Sequence, residues 1–459
     1  MLTRYGAVGG VDTVICRGCR GNATTARFEN LQETLPMNKT LFALAATSVV
    51  AASAQAQNSV TLYGSVDAGI NYVSGQDAAK TRLASGIMEG SRWGFKGTED
   101  LGGGYRALFV LESRFEADTG AISNRAASGI QVPDRFLDLQ FLGVPLIPLA
   151  PGVTTQTVVN QVGAQLGSQI GVNLTNNVFD RQAFVGLVTP VGAVLAGRQY
   201  TPAYEMFYVF DSMQTDSSLS AAQIATLPAA VDIRKSNALA YRLQKDGFTA
   251  TLMYAFGETG DSTSNNRYMS ANAYYKGNGF AVGAAYGTNN NAVGDKALTD
   301  VLLGASVDLG PGKLSTLYAT FKDDNPGVGA DVTAGLIAQN PSPAFAPLAT
   351  LIGNAFERAL RQDSRLFHVG YRFNFGPSTV TVAYNRYDDR TIADADVQSY
   401  GAVYTYALSK RTDVNFVLTR FDNDDNAQAA PGGGGFFGGV TSEAGKGAHN
   451  IALALRHRF

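Results

Sequence analysis

Hydrophobic and polar residues alternate along much of this chain. In segment 367–375 every odd position is Phe, Val or Tyr, and every even position is His, Gly, Arg or Asn. The same alternation recurs in segments 59–73, 105–117, 378–388, 411–421 and 449–459. Because successive side chains of a strand point to opposite faces, each segment predicts a strand with one apolar and one polar face.

The pattern predicts sixteen strands, joined alternately by short turns and long loops. The strands are expected at residues 59–73, 91–97, 105–117, 180–189, 192–199, 237–244, 248–257, 267–277, 279–288, 299–309, 312–322, 365–375, 378–388, 397–408, 411–421 and 449–459. The long loops are 118–179, 200–236, 323–364 and 422–448. Short turns at one end and long loops at the other indicate an up-and-down antiparallel arrangement.

Two all-β architectures share this alternation. A soluble sandwich buries its apolar faces between two sheets, whereas a membrane barrel turns them towards lipid and lines a wet lumen with the polar faces. Many of the predicted strands have about 9–12 residues, which suits a tilted membrane strand better than a sandwich strand of about 5–6 residues. We therefore predict a 16-stranded antiparallel transmembrane β-barrel. A barrel of that size leaves an open aqueous lumen, and so predicts a channel for small solutes.

Composition agrees with a barrel and excludes other classes. The chain is 45% hydrophobic and 16% charged, yet it has no apolar run of the roughly 20 residues that a membrane-spanning helix requires. Strands with only one apolar face account for both facts. The formal net charge of −2 gives no reason to expect a nucleic-acid partner.

The first 56 residues are expected to lie outside the working protein. Residues 37–56 contain a basic start, an apolar stretch and a small-x-small cleavage pattern, which together predict a secretory signal peptide. Residues 1–36 precede that signal and are interpreted as a misassigned upstream extension, which leaves 57–459 as the barrel. Cys16 and Cys19, the two cysteines of the chain, both fall in the upstream part, so we expect neither a disulfide nor a metal site.

Several motifs resemble one family. They are QNSVTLYGSVD at 57–67, SRWGFKGTEDLGGG at 91–104, DRQAFVGL at 180–187, GRQY at 197–200 and the terminal RHRF at 456–459. These segments are similar to the general porins of Gram-negative outer membranes, particularly the betaproteobacterial type. The resemblance implies an outer-membrane homotrimer of sixteen-stranded barrels, surrounded by lipid and inserted by the barrel-assembly machinery. It also implies passive diffusion of small hydrophilic solutes and ions, without a cofactor or a metal.

The resemblance further implies an inward-folded constriction loop. This is the third connection at the long-loop end, counting one after each odd-numbered strand; it folds into the barrel, and its acidic groups face a ladder of arginines. Our strand count places that loop at 200–236, between strands five and six. By motif, the basic wall is assigned to Arg92, Arg181, Arg198 and Arg234. The loop side is assigned to Tyr200, Tyr204, Glu205 and Asp211, and the assembly signal to Phe459.

Some points stay open at this stage. Alternation places Arg92 towards the lumen, because Trp93 and Phe95 take the outer face, but it does not decide the side of Arg181. Segment 118–179 is long for the family and contains the apolar stretch 142–149. It could cover the mouth, contact a neighbouring subunit or hide a strand pair.

Other functions are weighed against the channel. An outer-membrane enzyme would require a nucleophile with an adjacent base, and residues 57–459 have no Cys, only three His and no Ser in a recognisable catalytic setting. We therefore predict that the protein is not an enzyme. A substrate-specific channel, or a surface-adhesive barrel whose long loops bind a partner, is the alternative.

Overall fold

The computed structural model describes residues 59–77, 80–122, 132–168, 177–224, 232–260, 262–432 and 439–459, and within these ranges the main element is one large antiparallel sheet. Its strands are β1 (Ser59–Val73), β2a (Thr81–Ser85) with β2b (Arg92–Gly102), β3 (Tyr105–Arg114), β4 (Gln182–Thr189), β5 (Gly192–Tyr200), β6 (Arg234–Lys245), β7 (Phe248–Ala255), β8 (Tyr268–Lys276), β9 (Phe280–Asn290), β10 (Lys296–Leu309), β11 (Gly312–Asp323), β12 (Gln362–Phe375), β13 (Ser378–Asp389), β14 (Val397–Ala407), β15 (Thr412–Asn423) and β16 (Ala448–Arg458).

The sheet closes into a barrel through its first and last strands. Residues Ser65 to Val73 of β1 pair with Arg458 to Asn450 of β16. The other edge of β1 pairs with β2b in its first half and with β2a in its second half. Since β2a and β2b together act as one strand, the predicted sixteen-stranded antiparallel barrel is confirmed. The predicted strand 91–97 corresponds to β2b, and sequence analysis missed β2a.

The two faces of the barrel differ as the alternation predicts. On β10, Leu303 points outward and is 53% exposed, whereas its neighbour Leu302 points inward and is fully buried. Large apolar side chains also cover the outer face elsewhere, as at Val185, Leu252 and Leu453. Such an outer surface would be costly in water and is favourable in lipid.

The long connections all leave the same end of the barrel, because they follow odd-numbered strands of an antiparallel sheet. They carry the helices α1 (Leu139–Leu142), α2 (Thr155–Ser168), α3 (Pro202–Phe210), α4 (Ala221–Ile224), α5 (Val328–Gln339) and α6 (Ala346–Ala359). Within the described ranges, none of the helices is both long and apolar enough to cross a bilayer.

The insertion between β3 and β4 packs against another long loop. Val158 and Val159 of α2 join Ile352 and Phe356 of α6 in one buried cluster. The insertion also contains a strand pair, Pro148–Ala150 with Val153–Thr154, but this pair is separate from the barrel sheet. The described residues of the insertion, 132–168 and 177–179, therefore add no barrel strand. Leu142 and Val144 of its apolar stretch join the cluster with α6, whereas Leu146, Ile147 and Leu149 stay exposed.

The connection between β5 and β6, described at residues 201–224 and 232–233, enters the barrel; we call these described residues the inner loop. The apolar face of α3 packs on inward-facing wall residues such as Leu302, Leu317 and Leu366. The wall also holds the loop with hydrogen bonds: Asn272 donates to the carbonyl of Pro202 at 2.9 Å, and Asn385 donates to that of Leu219 at 2.9 Å. The inner loop is thus fixed to several strands across the lumen.

Candidate functional site

Helix α3 presents two different faces because of where the chain places its apolar residues. Thr201 caps the helix by accepting a hydrogen bond from the Tyr204 amide at 3.1 Å, and Pro202 follows in the first turn, where its missing N–H costs nothing. Phe207 and Phe210 are fully buried against the wall. Glu205 and Tyr208, three residues apart, lie on the opposite face. The helix therefore turns one acid and one aromatic ring towards the remaining lumen.

That remaining lumen contains a cavity of about 480 Å³ between the inner loop and the barrel wall. It is bounded by strands β2b to β7, by residues 202–216 of the inner loop and by Glu89. The charged residues that line it are Glu89, Arg92, Glu112, Arg181, Glu205, Asp216 and Arg242. The aromatic residues that line it are Phe184, Tyr200, Tyr204 and Tyr208.

Two of the predicted wall arginines meet at this cavity, and both pair with Glu112. Arg181 donates from Nε to Glu112 at 2.6 Å and from Nη2 to the Tyr200 hydroxyl at 2.7 Å. Arg92 lies 3.7 Å from Glu112 and donates to Glu89 at 2.6 Å. Since guanidinium groups stay protonated, these contacts are ion pairs with carboxylates of the same wall.

Arg181 lines the cavity for a reason that alternation does not supply. Val185 is the outward residue of β4, 58% exposed, whereas Phe184 faces the cavity. Strict alternation would then place Arg181 outside. The residue precedes the first residue of the strand, Gln182, so its backbone does not follow the alternation of the strand and its side chain turns inward.

Arg234 and Arg198 take different places. Arg234 stacks on the ring of Tyr200, 4.4 Å from its centroid, and donates to the Tyr200 hydroxyl at 2.8 Å. It supports that tyrosine from behind and is not among the cavity-lining residues. Arg198 lies at a β-bulge between β5 and β6 and donates to the Asp180 carbonyl at 2.6 Å and to Ser236 at 2.9 Å. The structure does not bring Arg198 to the cavity lining.

The loop acids also divide into two groups. Glu205 faces Arg242 of β6 in a two-pronged pair, with distances of 2.7 and 2.9 Å. Burial raises the pKa of Glu205, but the hydrogen bonds and charge of Arg242 outweigh this effect and hold the pKa below its ordinary value. Glu205 is therefore a fixed negative charge at the cavity.

Asp211 is fully buried and lies away from the cavity. Its carboxylate accepts from the amides of Met213 at 2.9 Å and Thr215 at 3.3 Å, and from the Ser220 hydroxyl. These bonds fold the loop end on itself, as a short acidic side chain does in a turn. Asp211 is thus in a position to shape the inner loop and does not contact the lumen.

His368, predicted to face the lumen, lies beneath the same loop. Its Nε2 accepts from the Ser212 amide at 3.0 Å, and its Nδ1 lies 2.6 Å from the Asn385 carbonyl oxygen. Accepting at Nε2 requires that the proton sit on Nδ1. The imidazole is a neutral link between the inner loop and β13.

Sequence reasoning missed three residues that the structure brings into this group: Arg242, Arg456 and Asp216. Arg456 of β16 donates to Asp216 of the inner loop at 2.9 Å and lies 3.6 Å from Glu89. Alternation in β6 and β16 places both arginines inside, which is the signal that could have found them. Their partners could not be found from the sequence, since the pairs span 37 and 240 residues.

Phe459 follows the last strand and completes the closure of the barrel. Its amide donates to the Gly64 carbonyl at 3.1 Å, and its own carbonyl accepts from the Gly64 amide at 3.2 Å. The ring also covers the position that a side chain on residue 64 would occupy. The role of Phe459 as an assembly signal stays a prediction.

Comparison with known proteins points to one family. The family profile of Gram-negative porins matches residues 40–426. An outer membrane porin protein of Bordetella pertussis is 27% identical over 82% of this chain and 92% of its own length. Outer membrane porin protein 32 of Delftia acidovorans is 26% identical over 92% of this chain and 100% of its own length.

Solved structures show the same fold. The anion-selective porin from Comamonas acidovorans superimposes with a TM-score of 0.60 at 23% identity, covering 88% of this chain and all of its own. The trimer form of OmpT, an outer membrane protein of Vibrio cholerae, matches with a TM-score of 0.52 at 14% identity, covering 88% of this chain and 99% of its own. The profile spans most of the chain and the barrel agrees with it, so this protein is an outer-membrane channel for passive diffusion that belongs to the Gram-negative porin family.

Proposed function

We propose that the inner loop and the charged cavity beside it form the constriction of this channel, and that they set which small hydrophilic solutes and ions pass. The observation that carries the proposal is that charged side chains lie on both sides of one passage. Glu205 and Asp216 lie on the loop, and Arg92, Arg181 and Arg242 lie on the wall. Opposed fixed charges in a narrow aqueous pore orient dipolar solutes and bias ion flow.

We further propose that the ion preference of this channel is weak. Every arginine that lines the cavity has a carboxylate partner: Arg92 and Arg181 share Glu112, and Arg242 pairs with Glu205. The lining contains three arginines against four acids, Glu89, Glu112, Glu205 and Asp216. This balance supports a slight preference for cations at neutral pH, in contrast to the anion selectivity named for the Comamonas porin.

The preference should depend on pH through Asp216. Burial and the nearby carboxylate of Glu89 raise the pKa of Asp216 to about 6, against the opposing charge of Arg456. As the pH falls from 7 to 5, Asp216 takes up a proton and the cavity loses a negative charge. We expect the reversal potential under a KCl gradient to move towards the anion side with a midpoint near pH 6. Asp216→Asn should abolish that movement, and a wild-type reversal potential that is constant over this range would contradict the assignment.

We also propose that the protein assembles as a homotrimer, since the OmpT barrel that it resembles has a trimer form. Light scattering of the detergent-solubilised protein would test this. A scattering mass close to three chains supports the proposal, and a mass of one chain contradicts it.

A substrate-specific channel is the second candidate. Tyr208 is 57% exposed and stands in the passage, with Phe184 on the facing wall. Aromatic rings at this point could hold an amphipathic solute. Under this alternative, a preferred solute would reduce the KCl current in a saturable manner.

Swelling of proteoliposomes with neutral sugars of increasing size separates these two functions. Protein purified from outer membranes and reconstituted should admit the sugars at rates that fall smoothly with molecular size. Rapid entry of one solute class regardless of size would favour the specific channel. Absence of swelling with any small sugar would contradict both candidates.

A further inference from the structure

The second strand of the barrel is interrupted by a segment that turns into the lumen. Ser65 of β1 pairs with Arg92 of β2b, and Ala68 of β1 pairs with Ser85 of β2a. Two residues of β1, 66 and 67, therefore stand opposite residues 86–91. The second strand thus has four more residues here than β1, whereas an ordinary β-bulge has one extra residue. We call residues 86–91 the inward segment.

The inward segment is held at its base by Asp67 of β1. The Asp67 carboxylate accepts from the amides of Ile87 at 3.1 Å, Met88 at 2.9 Å and Glu89 at 3.0 Å. The hydroxyls of Ser85 and Ser91 lie 3.0 Å apart, so a hydrogen bond links the two ends of the segment. Three consecutive amides donate to one carboxylate, and the residues on either side of the segment are hydrogen-bonded to each other. These contacts fix the backbone of the segment in one position.

The tip of the inward segment meets the inner loop. The Met88 carbonyl accepts from the Ser217 amide at 2.7 Å. Ile87 and Met88 share a buried cluster with Met213 and Leu219 of the inner loop, and small wall residues complete it: Ala383, Val403, Val417, Ala452 and Ala454. This part of the lumen is filled with apolar side chains and excludes water.

The cavity side of the inward segment is charged. Glu89 lies 2.6 Å from Arg92 and 2.9 Å from Arg458. Arg456 lies 3.6 Å from the same carboxylate, so three arginines surround Glu89. Glu89 therefore stays charged and borders the cavity opposite the loop residues 214–216.

We propose that the inward segment is a second element that narrows the constriction, and that it determines the cross-section of the pore together with the inner loop. This inference rests on the proposed function. The two elements meet through the contact between Met88 and Ser217 and close one side of the lumen, which confines the water path to the cavity beside Arg92 and Tyr208. Ile87 and Met88 set the limit on solute size, and Glu89 supplies charge at the rim of the path.

Deletion of residues 87–90 tests the proposal, because it restores simple pairing. Gly86 would then stand opposite Asp67 and Ser91 opposite Val66, which continues β2a into β2b without a break. We expect single-channel conductance in KCl to rise by about 1.5-fold or more, since conductance follows the narrowest section. Proteoliposomes should also admit larger neutral sugars than the wild type does.

Matched variants separate the backbone from the charge. Glu89→Gln keeps the segment and removes its charge, so it should leave the sugar size limit unchanged and shift only the reversal potential. Asp67→Ala keeps the chain length and removes the acceptor of the three amides, so its current should be larger and noisier. If the deletion variant does not fold, the Asp67→Ala result decides.

The outcomes distinguish this inference from the proposed function. A wild-type protein that does not conduct overturns the function. If the wild type conducts and the folded deletion variant keeps the wild-type conductance and sugar size limit, only the inference about the inward segment is overturned. The same holds for an Asp67→Ala channel whose current matches the wild type.

Discussion

A channel that carries Arg242→Glu should prefer cations clearly more than the wild type does. Arg242 pairs with Glu205 at 2.7 Å, and both residues border the cavity. The substitution removes a positive charge there and adds a negative one. A single charge at contact range changes the energy of a passing ion by about 1 kcal/mol in a water-like medium, which corresponds to about fivefold. Since the substitution changes the charge by two units, we expect the K⁺/Cl⁻ permeability ratio to rise by more than about fivefold. Reversal potentials in planar bilayers under a KCl gradient would measure it.

Two variants control for effects outside the cavity. Arg411→Glu makes the same change of charge in the exposed turn between β14 and β15, where we expect almost no shift. The double variant Glu205→Arg with Arg242→Glu exchanges the partners and should return the reversal potential towards the wild-type value. If Arg242→Glu leaves the reversal potential unchanged in a folded channel, the cavity is not on the ion path.

Gly304→Val should displace the inner loop and disturb the current. The residue faces the lumen on β10, and a Cβ atom there would overlap the ring of Phe210, the last residue of α3. Phe210 is fully buried, so its ring has no free space into which it could move. Overpacking of this kind costs about 1–3 kcal/mol. We expect a lower melting temperature and rapid fluctuations between conductance levels in single-channel records.

Gly335→Val is the matched control for that substitution. Gly335 lies in α5, and apart from its own helix backbone and chain neighbours no described atom lies within 4 Å of the Cβ atom that the substitution adds. Its melting temperature and current should resemble those of the wild type. A Gly304→Val channel as quiet and as stable as this control would show that the contact between α3 and the wall does not fix the inner loop.

The sequence predicts the barrel well because lipid imposes a simple rule on every strand. Each outward position must be apolar for most of the strand length, whatever the rest of the chain does. On β12 this rule alone identifies Phe367 as outward and His368 as inward, and the structure agrees. The number of strands and the long loops follow from the same alternation.

The broken second strand could not be predicted in this way. Thr81–Ser85 is short, and its pairing with β1 depends on how Asp67 captures the amides of residues 87–89. Those contacts join residues that lie 20 to 22 positions apart in the sequence. An inward segment of this kind is therefore a tertiary feature, and local periodicity carries no sign of it.

The candidate site was partly predictable for a related reason. Family motifs lead to Arg92, Arg181, Tyr200 and Glu205, which line one cavity. Asp211 has the residue type of a constriction acid, but its carboxylate accepts hydrogen bonds from a nearby amide and a nearby hydroxyl and does not face the lumen. Charge partners across the barrel depend on which strands the inner loop crosses, and sequence spacing does not contain that information.

The most direct test of this account is the single-channel conductance of the purified, folded protein in planar bilayers. We predict stepwise current increments whose size rises in proportion to the bulk conductivity of the KCl solution, as expected of a water-filled passage with nearly balanced fixed charges. Folded protein that inserts without any stepwise increments, or whose increments saturate at low salt, would contradict the account.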